Sequence, residues 1–197
     1  MLDNIFSVDI YKTKFTDLEV LARARYAVDK LNFSAVSSEY AGAADGGGLN
    51  TLSTHVNQKT VHTIDEFIPL GKFIEQEGKK YWDLLGYYPD VIPKIRHSWT
   101  NITNSGGLIT PHNHCRNPIA AVLYLEANNN CGNIVFENPM ELILGGQPIK
   151  MPYKNFQKSV KVETGDVIIF PGYLKHYTEI NHSNNPRVTF VVNLTER

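Results

Sequence analysis

Two histidines one residue apart, His112 and His114, stand in the segment Thr110-Pro111-His112-Asn113-His114, between two runs that read as β-strands. Successive side chains on a strand leave opposite faces, so His112 and His114 would share a face about 7 Å apart. Two imidazoles so placed can hold one metal; the plain alternative is a pair of surface or structural histidines. A third candidate, His176, follows the run Gly165-Asp166-Val167-Ile168-Ile169-Phe170-Pro171. A sheet that rolls up can bring it to the other two, and three nitrogens on one side of an ion leave the other side open. Taken alone, His176 reads as a partly buried histidine with a hydrogen-bond partner. Imidazole suits iron, zinc, copper and nickel, so the ligand type alone does not identify the ion. His55, His62, His97 and His182 have no such company and read as ordinary polar residues.

Arg187 opens a run otherwise made largely of Val, Phe, Leu and Thr. A guanidinium facing inward there is costly unless it meets an anion. Its fork geometry suits a carboxylate. Thr189, two residues on, shares the face and offers a hydroxyl to the same group. The alternative is a strand-edge arginine in solvent.

The chain that must position these groups has 197 residues, enough for one domain with its own core, and we expect one domain over 1–197. Its apolar fraction of 42% and charged fraction of 20% are those of an ordinary globular protein. A formal net charge of -1 gives no basic stripe for nucleic acid or an anionic membrane, and neither is expected as a partner. No apolar run is long enough to span a bilayer, and Met1-Leu2-Asp3-Asn4 lacks the basic start of a signal peptide, so a cytoplasmic location is expected. Cys115 and Cys131 are too few for a disulfide framework, and Cys115, next to His114, should face away from the histidine pair.

Residues 1–94 read as a helical buttress with a loop. A short strand is expected over Phe6–Tyr11. Thr16-Asp17-Leu18-Glu19 offers a capping box for a helix ending near Leu31, with Leu18, Leu21, Val28 and Leu31 as its stripe. The stretch from Phe33 to Asn57, rich in Ser, Ala, Gly and Asn, reads as a flexible connection. Thr63-Ile64-Asp65-Glu66 repeats the capping pattern before a second helix that starts near Pro69 and stops at Gly86, with Leu70, Phe73, Ile74, Tyr81, Leu84 and Leu85 on its apolar side. Gly71 and Gly78 weaken that helix.

Residues 95–197 change to short alternating runs with turn residues between them: Ile95–Thr103, Leu108–His114, Ile119–Leu125, Asn133–Glu137, Val160–Glu163, Val167–Phe170, Tyr173–Ile180 and Val188–Leu194. So many short strands predict a mainly β fold, a double-stranded β-helix (jelly roll) or small barrel, with the N-terminal helices packed on a sheet.

His112-x-His114, Val122-Leu123-Tyr124-Leu125, Gly132-Asn133-Ile134-Val135-Phe136, Gly165 to Pro171, His176 and Arg187-x-Thr189, in that order, resemble the 2-oxoglutarate- and Fe(II)-dependent oxygenases. The pattern is most similar to a branch of small oxygenases known from bacteria and phages, in which a run like Trp99-Thr100-Asn101 precedes the His-x-His. The resemblance implies metal ligands at His112, His114 and His176, and Arg187 on the far carboxylate of 2-oxoglutarate. It also implies that Tyr124 and Thr189 assist Arg187 and that Asn101 contacts the co-substrate. The implied cofactors are Fe(II), 2-oxoglutarate and O2. The implied reaction is hydroxylation of a C–H bond, in a peptidyl prolyl residue or a small molecule, with 2-oxoglutarate converted to succinate. His114 stands where most of the superfamily has Asp or Glu, so the metal would lack a negatively charged ligand unless a carboxylate such as Asp166 or Glu137 compensates.

Two rival readings remain open from sequence. A cupin also uses His-x-His and a later histidine, and Gly106, Gly165, Pro171 and His176 partly fit it, but Pro118 and Ile119 stand where its glutamate belongs. A non-catalytic jelly-roll module with a structural metal would have a coordinatively closed site.

Overall fold

The structure, a computed structural model, describes residues 7–36, 47–140 and 156–196. In chain order the elements are β1 (Tyr11–Lys14), α1 (Leu18–Val28), β2 (Ser34–Ala35), β3 (Gly48–Ser53), a 3₁₀ turn (Val61–Thr63), α2 (Ile68–Leu84), β4 (Lys94–Ile109), β5 (Ile119–Glu126), β6 (Ile134–Glu137), β7 (Gln157–Val160), β8 (Asp166–Pro171), β9 (His176–Thr178) and β10 (Arg187–Thr195). A large antiparallel sheet runs in the order β1-β8-β5-β10-β4-β3-β2, and a small one in the order β7-β6-β9.

The period of two residues along a strand explains the layers. In β10, Val188, Phe190, Val192 and Leu194 join Leu70, Ile74 and Tyr81 of α2 in one cluster, together with Ile119, Ala121 and Leu123 of β5. The alternate residues of these strands, Val191 of β10 and Ala120, Val122 and Tyr124 of β5, pack with Ile134 and Phe136 of the small sheet. Both faces of the large sheet are therefore covered, which is why β5 is apolar almost without a break. Burying each Leu, Ile or Phe stabilises the fold by about 1.5–3 kcal/mol before entropy is counted. This is the jelly roll with helical buttress that the strand pattern predicts.

Several local expectations are corrected. Thr16 does not cap α1: Asp17 does, its carboxylate accepting from the N–H groups of Glu19 and Val20, both at 3.1 Å. A carboxylate there also complements the helix dipole. The buried stripe becomes Val20, Leu21, Ala24, Ala27 and Val28, Leu18 is left exposed, and the helix stops at Val28. Thr63 caps nothing downstream, because its hydroxyl donates to the Thr60 carbonyl in the 3₁₀ turn and α2 starts at Ile68 without a side-chain cap. Pro69 does occupy the first turn, but Leu84 is exposed.

Gly78 has a packing reason: a Cβ there would come within 2.7 Å of Leu194 Cδ1, so the missing side chain lets α2 approach β10.

The strand expected over Phe6–Tyr11 begins instead at Tyr11, paired with Ile169; Phe6 lies outside the described residues. Phe33–Asn57 is not simply a connection, since β2 and β3 within it extend the large sheet beyond β4. Thus residues 1–94 contribute strands as well as helices. The two strands expected on either side of Asn104–Gly107 are one strand, β4, interrupted by a bulge: β3 pairs Leu49 with Leu108 but Thr51 with Thr103. Gly107 sits where a Cβ would meet three backbone carbonyls at 2.8 Å. The strand expected at Val160–Glu163 lies earlier, at Gln157–Val160, and Tyr173–Ile180 shortens to His176–Thr178.

Candidate metal centre and its cavity

His112 is not on a regular strand, contrary to the sequence reading. It forms an isolated antiparallel bridge with His176, each N–H donating to the other's carbonyl at 2.9 Å. The bridge adds one residue to the edge of the small sheet and fixes the two rings side by side, their centroids 4.4 Å apart. His114 lies in the following loop, where its N–H donates to Gly172 O at 2.7 Å. Its ring centroid is 5.4 Å from that of His112 and 5.1 Å from that of His176. One ring nitrogen from each of the three lies within 4.8 Å of the others.

Each imidazole has its Nδ1 engaged. That of His112 meets Thr110 O at 2.8 Å, that of His176 meets Leu174 O at 2.9 Å, and that of His114 meets Asn193 Oδ1 at 2.6 Å. Carbonyl oxygens only accept, so each Nδ1 carries the proton and donates it, and each Nε2 is left with its lone pair. Fixing the tautomer from behind is what metal-bound histidines require. Burial, helped by the neighbouring His112, pushes the pKa of His114 down to about 3. Burial, followed by His112 and His114, also puts that of His176 well below its ordinary value. Neutral rings are the ligating form. Trp99 stacks on His114 at 5.6 Å and Phe170 packs against His176 at 4.6 Å, so the walls are aromatic.

The three histidines open into a cavity lined also by Asn101, Tyr124, Thr178, Arg187 and Thr189. Sheet register explains the grouping. Thr189 of β10 is the Cα partner of Asn101 on β4 and of Tyr124 on β5, so the three form one inward row across adjacent strands. None of their side-chain polar atoms has a hydrogen-bond partner among the described residues. Burial raises the pKa of Tyr124 and keeps its phenol protonated.

Arg187, two positions before Thr189 on the same strand, is 1% exposed. Its Nη1 donates to Cys131 O at 2.5 Å, Gly132 O at 3.2 Å and Glu179 O at 3.3 Å, while Nη2 donates to Thr178 Oγ1 at 2.7 Å. No carboxylate among the described residues pairs with it. A buried cation balanced only by carbonyl and hydroxyl dipoles is a receptor for an anion.

All seven residues singled out in the sequence, His112, His114, His176, Arg187, Thr189, Tyr124 and Asn101, therefore line one cavity. The carboxylates weighed as compensation do not reach it. Asp166 pairs with Lys12 at 2.7 Å, Glu137 pairs with Lys175 at 2.8 Å, and the three-histidine group contains no acid. Cys115 is exposed. Sequence reasoning missed Asn193, Thr178 and His55. Asn193 shares the inward face of β10 with Arg187 and Thr189, so the same period of two residues could have found it. His55, read as an ordinary polar residue, lines the cavity and packs edge-on against Trp99 at 4.6 Å.

Residues 97–193 match the family model described as "Putative 2OG-Fe(II) oxygenase". No curated protein matches the chain. Among solved structures it is similar to the epimerase SnoN in complex with Fe3+, alpha ketoglutarate and nogalamycin RO (14% identity, 95% of this chain and 79% of that one, TM-score 0.67). It is also similar to a prolyl-4-hydroxylase from Pseudomonas putida (11% identity, 97% and 94%, TM-score 0.59). A third is HygX from Streptomyces hygroscopicus with nickel and 2-oxoglutarate bound (12% identity, 95% and 83%, TM-score 0.60). At these identities the structural likeness carries the fold, and the family match carries the class. Residues 97–193 are thus matched to the 2-oxoglutarate- and Fe(II)-dependent oxygenases, a class that works with Fe(II), 2-oxoglutarate and O2. No helix among the described residues is long and apolar enough to cross a membrane.

Proposed function

We propose that His112, His114 and His176 hold the iron, that Arg187 receives the far carboxylate of 2-oxoglutarate, and that the enzyme hydroxylates a C–H bond of a peptidyl prolyl residue or a small molecule. Three imidazoles, each with its Nδ1 engaged and one ring nitrogen within 4.8 Å of the others, are a donor set that fits a divalent transition metal. The observation that carries the co-substrate reading is Arg187, a buried guanidinium without a carboxylate partner among the described residues, in the same cavity as the three rings. Iron with 2-oxoglutarate and O2 supplies the oxidising chemistry.

The protein's residues hold and exclude. Thr110 O, Leu174 O and Asn193 keep the three rings in the ligating tautomer. Tyr124, Thr189 and Asn101 offer unpartnered polar groups beside Arg187, while Trp99, Val122, Ile134 and Val191 keep the remaining wall apolar. Val36, Ser53 and His55, from the β2–β3 side, complete the lining of the cavity.

A cupin reading is disfavoured because Ile119 stands where its glutamate would be and packs toward the helices, away from the histidines. A closed structural zinc site is disfavoured by the cavity beside the rings, since structural sites fill all four positions. Release of succinate from 2-oxoglutarate, dependent on added Fe(II) and O2, tests the proposal. Folded protein that holds zinc tightly and releases no succinate with iron would contradict it.

A further inference from the structure

Asn193, which holds His114, and Arg187 stand at the two ends of the inward row of β10, with Thr189 and Val191 between them. A 2-oxoglutarate molecule reaching from the metal toward Arg187 therefore runs along β10. The cavity extends sideways from that line, across β4 and onto β3. Ser53 of β3 is the Cα partner of Asn101 on β4, and Asn101 is that of Thr189 on β10. Two strand spacings put Ser53 about 10 Å from Thr189, outside the path of a ligand that follows β10. In the other direction no residue of β8 lines the cavity. The space for a second ligand is on the β3 side.

Ser53, Trp99 and His55 build that side. Ser53 Oγ accepts from the backbone N–H of His55 at 3.1 Å, and its own O–H meets no acceptor among the described residues. Trp99, 8% exposed, stacks on His114 and packs edge-on against His55, so it adjoins the metal set. Its indole N–H, which can only donate, likewise meets no acceptor among the described residues. Thr54 fixes the turn that carries His55: its N–H donates to Thr100 O at 3.0 Å and its Oγ1 accepts from the Thr100 N–H at 3.1 Å. The β3 side thus presents hydrogen-bond donors next to an apolar wall that includes Val122 and Val191.

Charge narrows the ligand further. No aspartate, glutamate or lysine among the described residues lines the cavity. With the metal on three neutral rings, its two positive charges and that of Arg187 exceed the two negative charges of 2-oxoglutarate by one. His114, standing in place of an acid, leaves the loaded cavity positive. An ammonium entering it loses hydration, meets a like charge and finds no counter-ion. We propose that Ser53 and Trp99 form a substrate subsite that selects an acylated, non-cationic molecule: a carbonyl or carboxylate oxygen of the substrate accepts from the Ser53 O–H and the Trp99 indole N–H, and the positive cavity rejects the free amine. This rests on the functional reading above and narrows it, because a prolyl residue then enters as an amide and not as the free amino acid.

The test titrates three probes that share one ring into protein loaded anaerobically with Fe(II) and 2-oxoglutarate: N-acetyl-L-prolinamide, which is neutral, N-acetyl-L-proline, which is anionic, and L-prolinamide, whose ring nitrogen is protonated at neutral pH. Binding is read from tryptophan fluorescence, since Trp99 and Trp82 are the two tryptophans of the chain. Both acetylated probes should bind, and L-prolinamide should bind at least about tenfold more weakly. Ser53→Ala, which removes one hydrogen bond, should weaken the acetylated probes about two- to tenfold, while an unchanged affinity for 2-oxoglutarate shows that the variant is folded. Trp99→Phe should abolish the fluorescence response, which assigns it to the cavity and not to Trp82. Equal binding of L-prolinamide, no effect of Ser53→Ala, a response that survives Trp99→Phe, or no response to any probe in protein that binds 2-oxoglutarate would overturn the subsite and leave the functional reading intact. Wild-type protein that binds iron but not 2-oxoglutarate would overturn both.

Discussion

His112 and His176, from segments more than sixty positions apart, exchange both backbone hydrogen bonds at 2.9 Å and hold their rings 4.4 Å apart. The pairing sets the two imidazoles before any metal arrives, because the backbone bridge does not depend on the side chains. His176→Ala should therefore keep the fold and lose the ion: a competition titration against a chelating indicator is expected to show metal affinity down by at least about a hundredfold, and circular dichroism to be unchanged. Retained affinity would remove His176 from the metal set.

Asn193 is the test of the third ring. Its Oδ1 accepts from His114 Nδ1 at 2.6 Å, and partners of this kind are worth about 10–100-fold in metal affinity. Asn193→Ala should lose that amount. Asn193→Asp, which keeps the acceptor and adds charge, should restore it. If alanine and aspartate behave alike, the hydrogen bond does not position His114.

Arg187→Ala should raise the Kd for 2-oxoglutarate by roughly a hundredfold or more, the cost of removing one partner of a buried, hydrogen-bonded charge pair. Arg187→Lys should not recover it, because an ammonium cannot reproduce the fork that reaches Cys131 O, Gly132 O and Thr178 together. Calorimetric titration of the iron-loaded protein measures both.

Gly132 supports that arginine through its backbone. Its φ is +80°, and a Cβ would come within 2.5 Å of Glu179 O and 2.9 Å of Arg187 Nη1. Gly132→Ala should cost about 1–3 kcal/mol in denaturant unfolding and weaken 2-oxoglutarate binding with it. A variant as stable as wild type would show that the segment relaxes freely.

The metal-free protein should lose stability in mild acid. His114 has its pKa held at about 3 in the folded state, against about 6.5 when unfolded, and burial shifts His176 in the same direction. Below pH 6.5 the unfolded chain takes up protons that these buried rings refuse, so unfolding becomes easier as pH falls toward 3. Each such ring contributes at most about 1.4 kcal/mol per pH unit over that window, and nothing above it. Melting temperatures measured in chelator from pH 8 to pH 5 should be flat down to about 6.5 and then fall. A curve that stays flat to pH 5 would mean that the rings are solvated.

The chemistry on β10 was legible in the sequence because a strand buried on both faces makes any polar residue conspicuous: Arg187 and Thr189 stand out from Val, Phe and Leu. Asn193 carries the same signal but has no family motif to draw attention to it. The pair His112 and His114 was found for a partly wrong reason, since the rings converge through a bridge and a loop and not through strand alternation. β2 and β3 are illegible because they carry little apolar sequence; pairing of β3 with β4 and of β2 with β3 holds them, and that is tertiary information. Thr178 could not be read as part of the cavity, for its contact with Arg187 is tertiary information.

The central claim is that one cavity holds iron on three imidazoles and 2-oxoglutarate between that iron and Arg187. Anaerobic titration of the metal-free protein with Fe(II) and then 2-oxoglutarate tests it most directly, through the visible charge-transfer band of the iron–keto-acid chelate. The account predicts a band that saturates at one equivalent of each and disappears in His112→Ala and His176→Ala. Folded, iron-loaded protein that develops no band with excess 2-oxoglutarate would contradict it.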